Sequence, residues 1–256
     1  MDQRTKEETE MKILLLDIET SPNLAHVWGL WQQNVGTNQL LESSEVMCWA
    51  AKWYDERGVM FMSNKANSHA EMLAKIYELI DEADVVVHYN GKKFDMPTLN
   101  KEFLLQGWTP PSPYKQIDLL RVVRSNFKFP SNKLDYVAQR LNLGKKVKHE
   151  GHELWIKCMN KDPLAWKKME RYNKQDVVLL EKVYDALLPW IKSHPNHNLY
   201  GDLEHCCPSC GSDKLHRRGV ARSIGGVYQR YQCTNCGSWS QGTKSSKSVE
   251  VKGIAS

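Results

Sequence analysis

Near the end of the chain, Cys207-Pro208-Ser209-Cys210-Gly211 and Cys233-Thr234-Asn235-Cys236-Gly237 form two Cys-x-x-Cys-Gly knuckles separated by 22 residues. In a reducing compartment, four thiolates at this spacing read as a tetrahedral structural zinc site. The glycine after each pair suits the tight turn that aims both sulfurs at one ion. So short a module buries little core, and the metal is expected to supply its folding energy. Cys206 is a spare, because the two-residue gap to Cys210 favours Cys207 as ligand. Five of the seven cysteines lie in this tail, and Cys48 and Cys158 stand alone. From residue 201 onward, eight basic residues face four acids, so the tail holds most of the net charge of +5. Four thiolates with one zinc ion carry −2, which lowers the local excess to about +2.

The 256 residues suffice for one ordinary domain plus a small one. A hydrophobic fraction of 41% with nine Trp excludes wholesale disorder. The longest apolar runs, such as 13–16 and 85–87, exclude a bilayer-spanning helix, which needs roughly 18–20 residues. Residues 1–12 are polar and acidic with no apolar stretch, so a secretory signal is not expected and a cytoplasmic setting is. The expected organisation is a polar leader (1–11), a main domain (12–195), the cysteine module (196–242) and a flexible Ser/Lys-containing tail (243–256).

Within the main domain, the apolar runs at 12–17, 46–54 and 59–63 read as three strands of an antiparallel meander, the last two joined by the turn Asp55-Glu56-Arg57-Gly58. Ser68-His69-Ala70-Glu71 is a capping box, and Met72, Leu73, Ile76, Leu79 and Ile80 follow at helical spacing. A buried-type strand at 84–89 feeds a helix that starts near Pro97 and carries Leu99, Phe103 and Leu104. Helices are expected at 118–124 and at 131–143, the latter closed by Gly144, and a last one is capped by Asp162, opened by Pro163 and stopped near Pro189. The order predicts a mixed α/β fold with helices packed on a sheet.

Three acidic features break this pattern. Asp17 and Glu19 end the first strand, and residues two apart on a strand face one side. Alone, such a pair is ordinary for a polar strand end. In the last helix, Met169, Tyr172, Asp176, Leu180, Val183 and Leu187 fall within about 80° of arc, so Asp176 lies inside the apolar stripe. A carboxylate buried there needs a hydrogen-bonding partner, a positive group or a metal ion. Asp95, in Asn90-Gly91-Lys92-Lys93-Phe94-Asp95, sits where a buried strand gives way to a helix, and either an N-cap or a functional role fits it. Four acids meeting at one sheet edge are tenable at neutral pH mainly when divalent ions neutralise them, and oxygen ligands favour Mg²⁺ or Mn²⁺.

Asp17-Ile18-Glu19-Thr20, Asn90-x3-Phe94-Asp95 and Tyr172-x3-Asp176, in that order, resemble the three motifs of the DEDD exonuclease superfamily. The tyrosine in the third motif is similar to the subgroup that contains proofreading domains of family A and B DNA polymerases. Lys133-Leu134-Asp135-Tyr136-Val137-Ala138 also resembles a segment of the family B group. The resemblance implies a ribonuclease H-like mixed sheet flanked by helices, with the cysteine module similar to a zinc ribbon. It implies a 3′–5′ exonuclease with two catalytic Mg²⁺ or Mn²⁺ ions and one structural Zn²⁺. Asp17 would bridge both metals, Glu19 and Asp176 would complete one site, Asp95 would act largely through water, and Tyr172 would orient the attacking water. Asn90 and Phe94 would support the site or the terminal nucleotide.

The expected substrate is single-stranded DNA or a DNA 3′ end. An exoribonuclease and a nucleic-acid-binding or adaptor protein with an inactive nuclease core are the alternatives, and a replication or repair protein is a further expected partner. Compact proteins of this group with a ribbon attached look like viral or mobile-element nucleases, so the cytoplasm would then be that of the host. Arg217, Arg218, Arg222 and Arg230, with Tyr228 and Tyr231 nearby, could grip phosphates and stack on bases, and a protein-docking surface is the equal alternative. Lys145, Lys146, Lys148, His149 and His152 form a basic stretch that either contacts the backbone or is an exposed loop.

Overall fold

The computed structural model describes residues 10–200 and 205–251, so most of the expected leader, 1–11, lies outside the described residues. The chain divides into two compact units, Lys12–Val183 and a second from Tyr184 onward.

In the first unit, a five-stranded sheet has the order β5-β4-β1-β6-β7. Its strands are β1 (Ile13–Thr20), β4 (Val46–Trp53), β5 (Met60–Ser63), β6 (Val85–His88) and β7 (Lys115–Asp118). β1, β4 and β5 form the expected antiparallel meander, while β6 and β7 run parallel to β1. The even-numbered residues of β1, Leu14, Leu16 and Ile18, pack with Trp49, Ile76, Leu99 and Phe103 into one core. Full burial of such a side chain stabilises the fold by about 1.5–3 kcal/mol. A second core gathers Met47, Cys48, Leu154, Trp166, Met169 and Tyr172.

The helices on these cores are α1 (His69–Glu82), α2 (Asp95–Leu105), α3 (Leu119–Asn126), α4 (Leu134–Arg140), α5 (His152–Met159) and α6 (Pro163–Leu187). The Ser68–Glu71 capping box forms in both directions, with Glu71 N donating to Ser68 Oγ at 3.2 Å and Ser68 N to Glu71 Oε2 at 3.0 Å. Asp162 caps α6 by accepting from Leu164 N at 2.8 Å. Two local expectations fail. Leu104 is 75% exposed rather than on the face of Leu99 and Phe103, because it lies one residue, about 100°, beyond Phe103. The 131–143 helix is shorter than expected, and Asn142, at φ 57°, takes the left-handed residue after it instead of Gly144. Asparagine tolerates that region, so a glycine was not needed to end the helix.

Besides β7, which fills a stretch where no strand is expected, two further elements of the first unit are absent from the sequence expectations. One is a short ribbon of β2 (Leu24–Ala25) and β3 (Leu40–Glu42), and the other is α5.

In the second unit, β8 (Leu215–Arg222), β9 (Gly226–Cys233) and β10 (Trp239–Ser248) form an antiparallel sheet in the order β10-β9-β8. The segment expected as a flexible tail therefore begins as strand: Ser245 pairs with Tyr228 and Ser248 with Gly226. Backbone pairing along β9 satisfies groups that an open edge would leave to water, whatever the polarity of the β10 side chains. This unit also starts before the boundary expected at 195. Tyr184 Oη and His194 Nε2 are 2.7 Å apart, His194 stacks on His197 at 5.5 Å, and His197 N donates to Pro208 O at 3.0 Å, which ties the end of α6 to the first knuckle. Among the described residues, no helix is long and apolar enough to cross a membrane.

Candidate active site

On β1, Ile18 is 2% exposed in the first core, which leaves Asp17 and Glu19 on the opposite face. The parallel pairing of β1 with β6 ends at Leu15 and Val87. Beyond it, the Ile18 backbone N–H donates to Asp95 Oδ1 at 3.1 Å. Asp95 is buried at the first residue of α2 and is not its N-cap, which is Phe94. From α6, Asp176 enters at 1% exposure, and Asp17, Glu19 and Asp176 each place a carboxylate oxygen within 4.8 Å of the others.

Burial is the chief force on these acids. It pushes Asp17 well up, with Asp176, Glu19 and Asp95 adding repulsion. It raises Glu19 to about 8 and Asp95 to about 7, and it raises Asp176 against the pull of Lys146. Lys146 Nζ donates to Asp176 Oδ2 at 2.5 Å and to the Tyr172 hydroxyl at 3.3 Å. Burial disfavours its charge, yet Asp176 and Asp17 raise its pKa overall. Among the described residues one ammonium is bonded to this group of four acids, too little to offset all four once they ionise. Asp176 Oδ1 is buried with no hydrogen-bond partner among the described residues. An all-oxygen donor set with an unsatisfied buried oxygen fits a hard divalent cation such as Mg²⁺ or Mn²⁺.

Tyr172 lies one helical turn before Asp176 and is 7% exposed, its ring against His149 at 4.8 Å and Trp155 at 6.0 Å. Burial and then Glu19 and Asp176 push its phenol far up, so it stays protonated and is a donor. Asn90 adopts φ 73° and its backbone N–H donates to Asp118 Oδ1 at 2.9 Å. At Gly91, a Cβ would lie 2.4 Å from His88 Cγ, so only glycine fits without a shift. The Asn-Gly turn thus has a structural reason, while Asn90 also lines a cleft of about 490 Å³ with Asp17, Tyr89, Arg124, Lys133 and Lys146. Phe94 is 43% exposed.

Two residues of the site escaped the sequence reading. Lys146 was legible only as one member of a basic run, and its partner is set by the fold. Asn173, fully buried, donates to Asp17 Oδ2 at 2.6 Å and fixes that carboxylate. It lies about 20° beyond the apolar stripe of α6, which was the available signal.

In the second unit, Cys207, Cys210, Cys233 and Cys236 bring their sulfurs within 4.8 Å of one another. Sγ–Sγ distances of 3.6 Å (Cys207–Cys236) and 3.8 Å (Cys210–Cys233) match the edge of a tetrahedron with Zn–S bonds of about 2.3 Å. The knuckles are built alike: Gly211 N donates to Cys207 O at 2.9 Å and Gly237 N to Cys233 O at 3.0 Å, both glycines at positive φ. Cys206 stays outside the cluster. The four arginines are exposed, but they are not equivalent. Arg218 and Arg230 lie over the Trp239 ring at 5.9 and 4.9 Å from its centre, and Arg218 Nη1 donates to Gln232 Oε1. Among the described residues, Arg217 and Arg222 make no such stack.

A parallel–antiparallel sheet of this order, with acids at the end of its central strand and on a facing helix, defines a ribonuclease H-like nuclease domain. The family model of the RNase_H superfamily matches residues 35–188, more than half of the chain, and the chain belongs to that superfamily. The match includes Asp95, Tyr172 and Asp176 but starts after Asp17 and Glu19. The family B DNA polymerase from the hyperthermophilic archaeon Pyrobaculum calidifontis is similar in fold, with a TM-score of 0.54 at 20% identity over 70% of this chain. This chain covers 25% of that polymerase. No curated protein matches the chain.

Proposed function

We propose that the Lys12–Val183 unit is a metal-dependent 3′–5′ exonuclease that removes nucleotides from the 3′ end of DNA, preferentially single-stranded. The observation that carries this reading is the charge imbalance: Asp17, Glu19 and Asp176 converge with Asp95 beside them, all raised by burial and mutual repulsion, and among the described residues Lys146 is the one cation bonded to them. Asp17, Glu19 and Asp176 would hold the ions, with Asp95 beside them. When bound, two Mg²⁺ or Mn²⁺ ions supply a hydroxide at neutral pH and offset the charge at the scissile phosphate.

The chain's own groups do the rest. Asn173 holds the Asp17 carboxylate in place, and Lys146 steadies Asp176 and the Tyr172 oxygen. That leaves the neutral phenol to orient a water. The 490 Å³ cleft beside Asp17 would take the terminal nucleotide, with Arg124 and Lys133 placed for its phosphate. The 3′ polarity and the preference for DNA rest on the three-motif resemblance to proofreading domains. The rival reading, a binding or adaptor protein with an inactive core, draws on the same Lys146 pair, which neutralises one ligand without metal. In the second unit, one Zn²⁺ on the four cysteines would have a structural role, and Arg217 and Arg222 remain available for phosphate.

A gel time course on 5′-labelled single-stranded DNA and matched RNA, with Mg²⁺ or Mn²⁺ and an Asp17→Ala control, tests the reading. A descending ladder on DNA that vanishes in the control is the expected result. A ladder on RNA alone moves the protein to RNA processing, and no cleavage of either favours the adaptor.

A further inference from the structure

Lys145, Lys146, Val147 and Lys148 face Leu164, Lys167, Lys168, Arg171 and Gln175 of α6 across a cleft of about 720 Å³. Six of the nine lining residues are cationic and none is acidic. The helical members form a single stripe, rotated by about 120° from the buried stripe that carries Asp176. Two of the cations are matched elsewhere, Lys168 by Glu150 at 2.6 Å and Lys146 by Asp176. Lys145, Lys148, Lys167 and Arg171 have no ion-pair partner among the described residues, and all four are exposed. Lys167 and Arg171 are four apart on one helix, an arrangement of like charges that weakens the helix.

A concave surface that concentrates positive charge, on a chain whose total is only +5, calls for an anionic ligand. Lys146 decides which one. It lines this cleft and also the cleft that holds Asp17, and its ammonium is bonded to Asp176, so the two clefts share a wall at the edge of the acid cluster. A ligand lying along the stripe reaches the acids at one end, as a polymer with repeated negative charges would. We propose that this basic cleft binds the phosphodiester backbone of a single nucleic-acid strand and leads it to the acid cluster. The inference rests on the nuclease reading above and adds the path of the strand. The basic stretch ahead of α6 is then a binding wall, with the helix as the wall opposite.

The test pairs Lys167→Ala/Arg171→Ala with Lys145→Ala/Lys148→Ala, all exposed positions outside the catalytic cluster, in the zinc-loaded full chain. Two readouts separate the path from the nuclease. The first is fluorescence anisotropy of a 5′-labelled oligothymidylate, with Ca²⁺ in place of Mg²⁺, across a salt series. The second is hydrolysis of the p-nitrophenyl ester of thymidine 5′-monophosphate, which has a scissile phosphodiester and no strand. Loss of two backbone contacts lowers the slope of log K against log salt by about 1.4 and weakens binding roughly twentyfold at 0.1 M salt. Ester hydrolysis is expected to stay unchanged in both variants. Strand affinity and salt slope equal to wild type in both variants would overturn the path, even with the ester hydrolysed. Failure of wild type to hydrolyse the ester would count against the nuclease reading, and the anisotropy arm would still decide the path.

Discussion

The cysteine centre draws its four sulfurs from two five-residue knuckles, each a closed turn, whereas the carboxylate cluster gathers Asp17 and Glu19 from β1 and Asp176 from α6, with Asp95 of α2 beside them, far apart in the chain. The first has almost no core to fold around. Apart from the cysteines and Ser238, the residues of its three strands and two knuckles are mostly half-buried or exposed. The second sits on a sheet packed on both faces by apolar side chains. In the cysteine unit a bound ion would take the place of a core; in the nuclease unit the core exists already and is made to tolerate repelling charges. Convergent ionisable side chains would therefore stabilise one unit once an ion is bound and strain the other until one is.

Zinc removal should break this comparison most visibly. With apparent zinc binding worth on the order of 10–16 kcal/mol in small sites, a chelator should abolish amide protection in β8–β10 and leave it intact in β1 and β4. Hydrogen exchange read by mass spectrometry checks this, and equal loss in both sheets would show that the two units do not fold separately.

Asp17→Asn should act in opposite senses on activity and stability. Cleavage should fall on the order of 10³-fold if, as proposed, Asp17 holds a metal ion at the reacting phosphate. The metal-free melting temperature should rise at pH 8, because one repelling charge is gone while the amide oxygen can still accept from Asn173. A variant that melts lower and cleaves normally would mean that the carboxylate is structural.

The pH dependence sharpens the same contrast. Glu19 moves from an ordinary value of 4.5 to about 8, and Asp95 from 3.8 to about 7. The fold thus prefers both groups protonated, so their stabilising contribution is complete below about pH 4 and is lost as pH rises through 7 to 8. Without divalent ions, the nuclease unit should melt at lower temperature at pH 8 than at pH 6. Added Mg²⁺ should raise melting more at pH 8, since binding releases those protons. Differential scanning fluorimetry on zinc-loaded protein would measure both trends.

The smallest effect should come from Trp239→Ala. Two guanidinium–ring contacts at an exposed site contribute about 0.5–1 kcal/mol each, so the second unit should melt slightly earlier and keep its zinc.

What was legible in the sequence follows from how local each feature is. The knuckles, the Ser68–Glu71 box and the buried stripe of α6 depend on neighbours within a turn or two, and all form as read. Lys146 was visible only as a charge, because its pairing with Asp176 requires the loop before α5 to fold over α6. Arg218 and Arg230 were legible as cations, but their capture by Trp239 depends on the three-strand register. The start of the expected tail became strand because β9 offered it an edge, a cause that lies outside the tail's own composition.

The central claim is that the carboxylates are held together for divalent ions. Titration of the zinc-loaded protein with Mn²⁺, followed by the electron paramagnetic resonance signal of free Mn²⁺, tests it directly. Saturable binding in wild type that is lost in Asp17→Asn is the predicted result. No binding at neutral pH, or binding unaltered by the substitution, would contradict it and leave the Lys146–Asp176 pair as the cluster's own means of neutralising its charge.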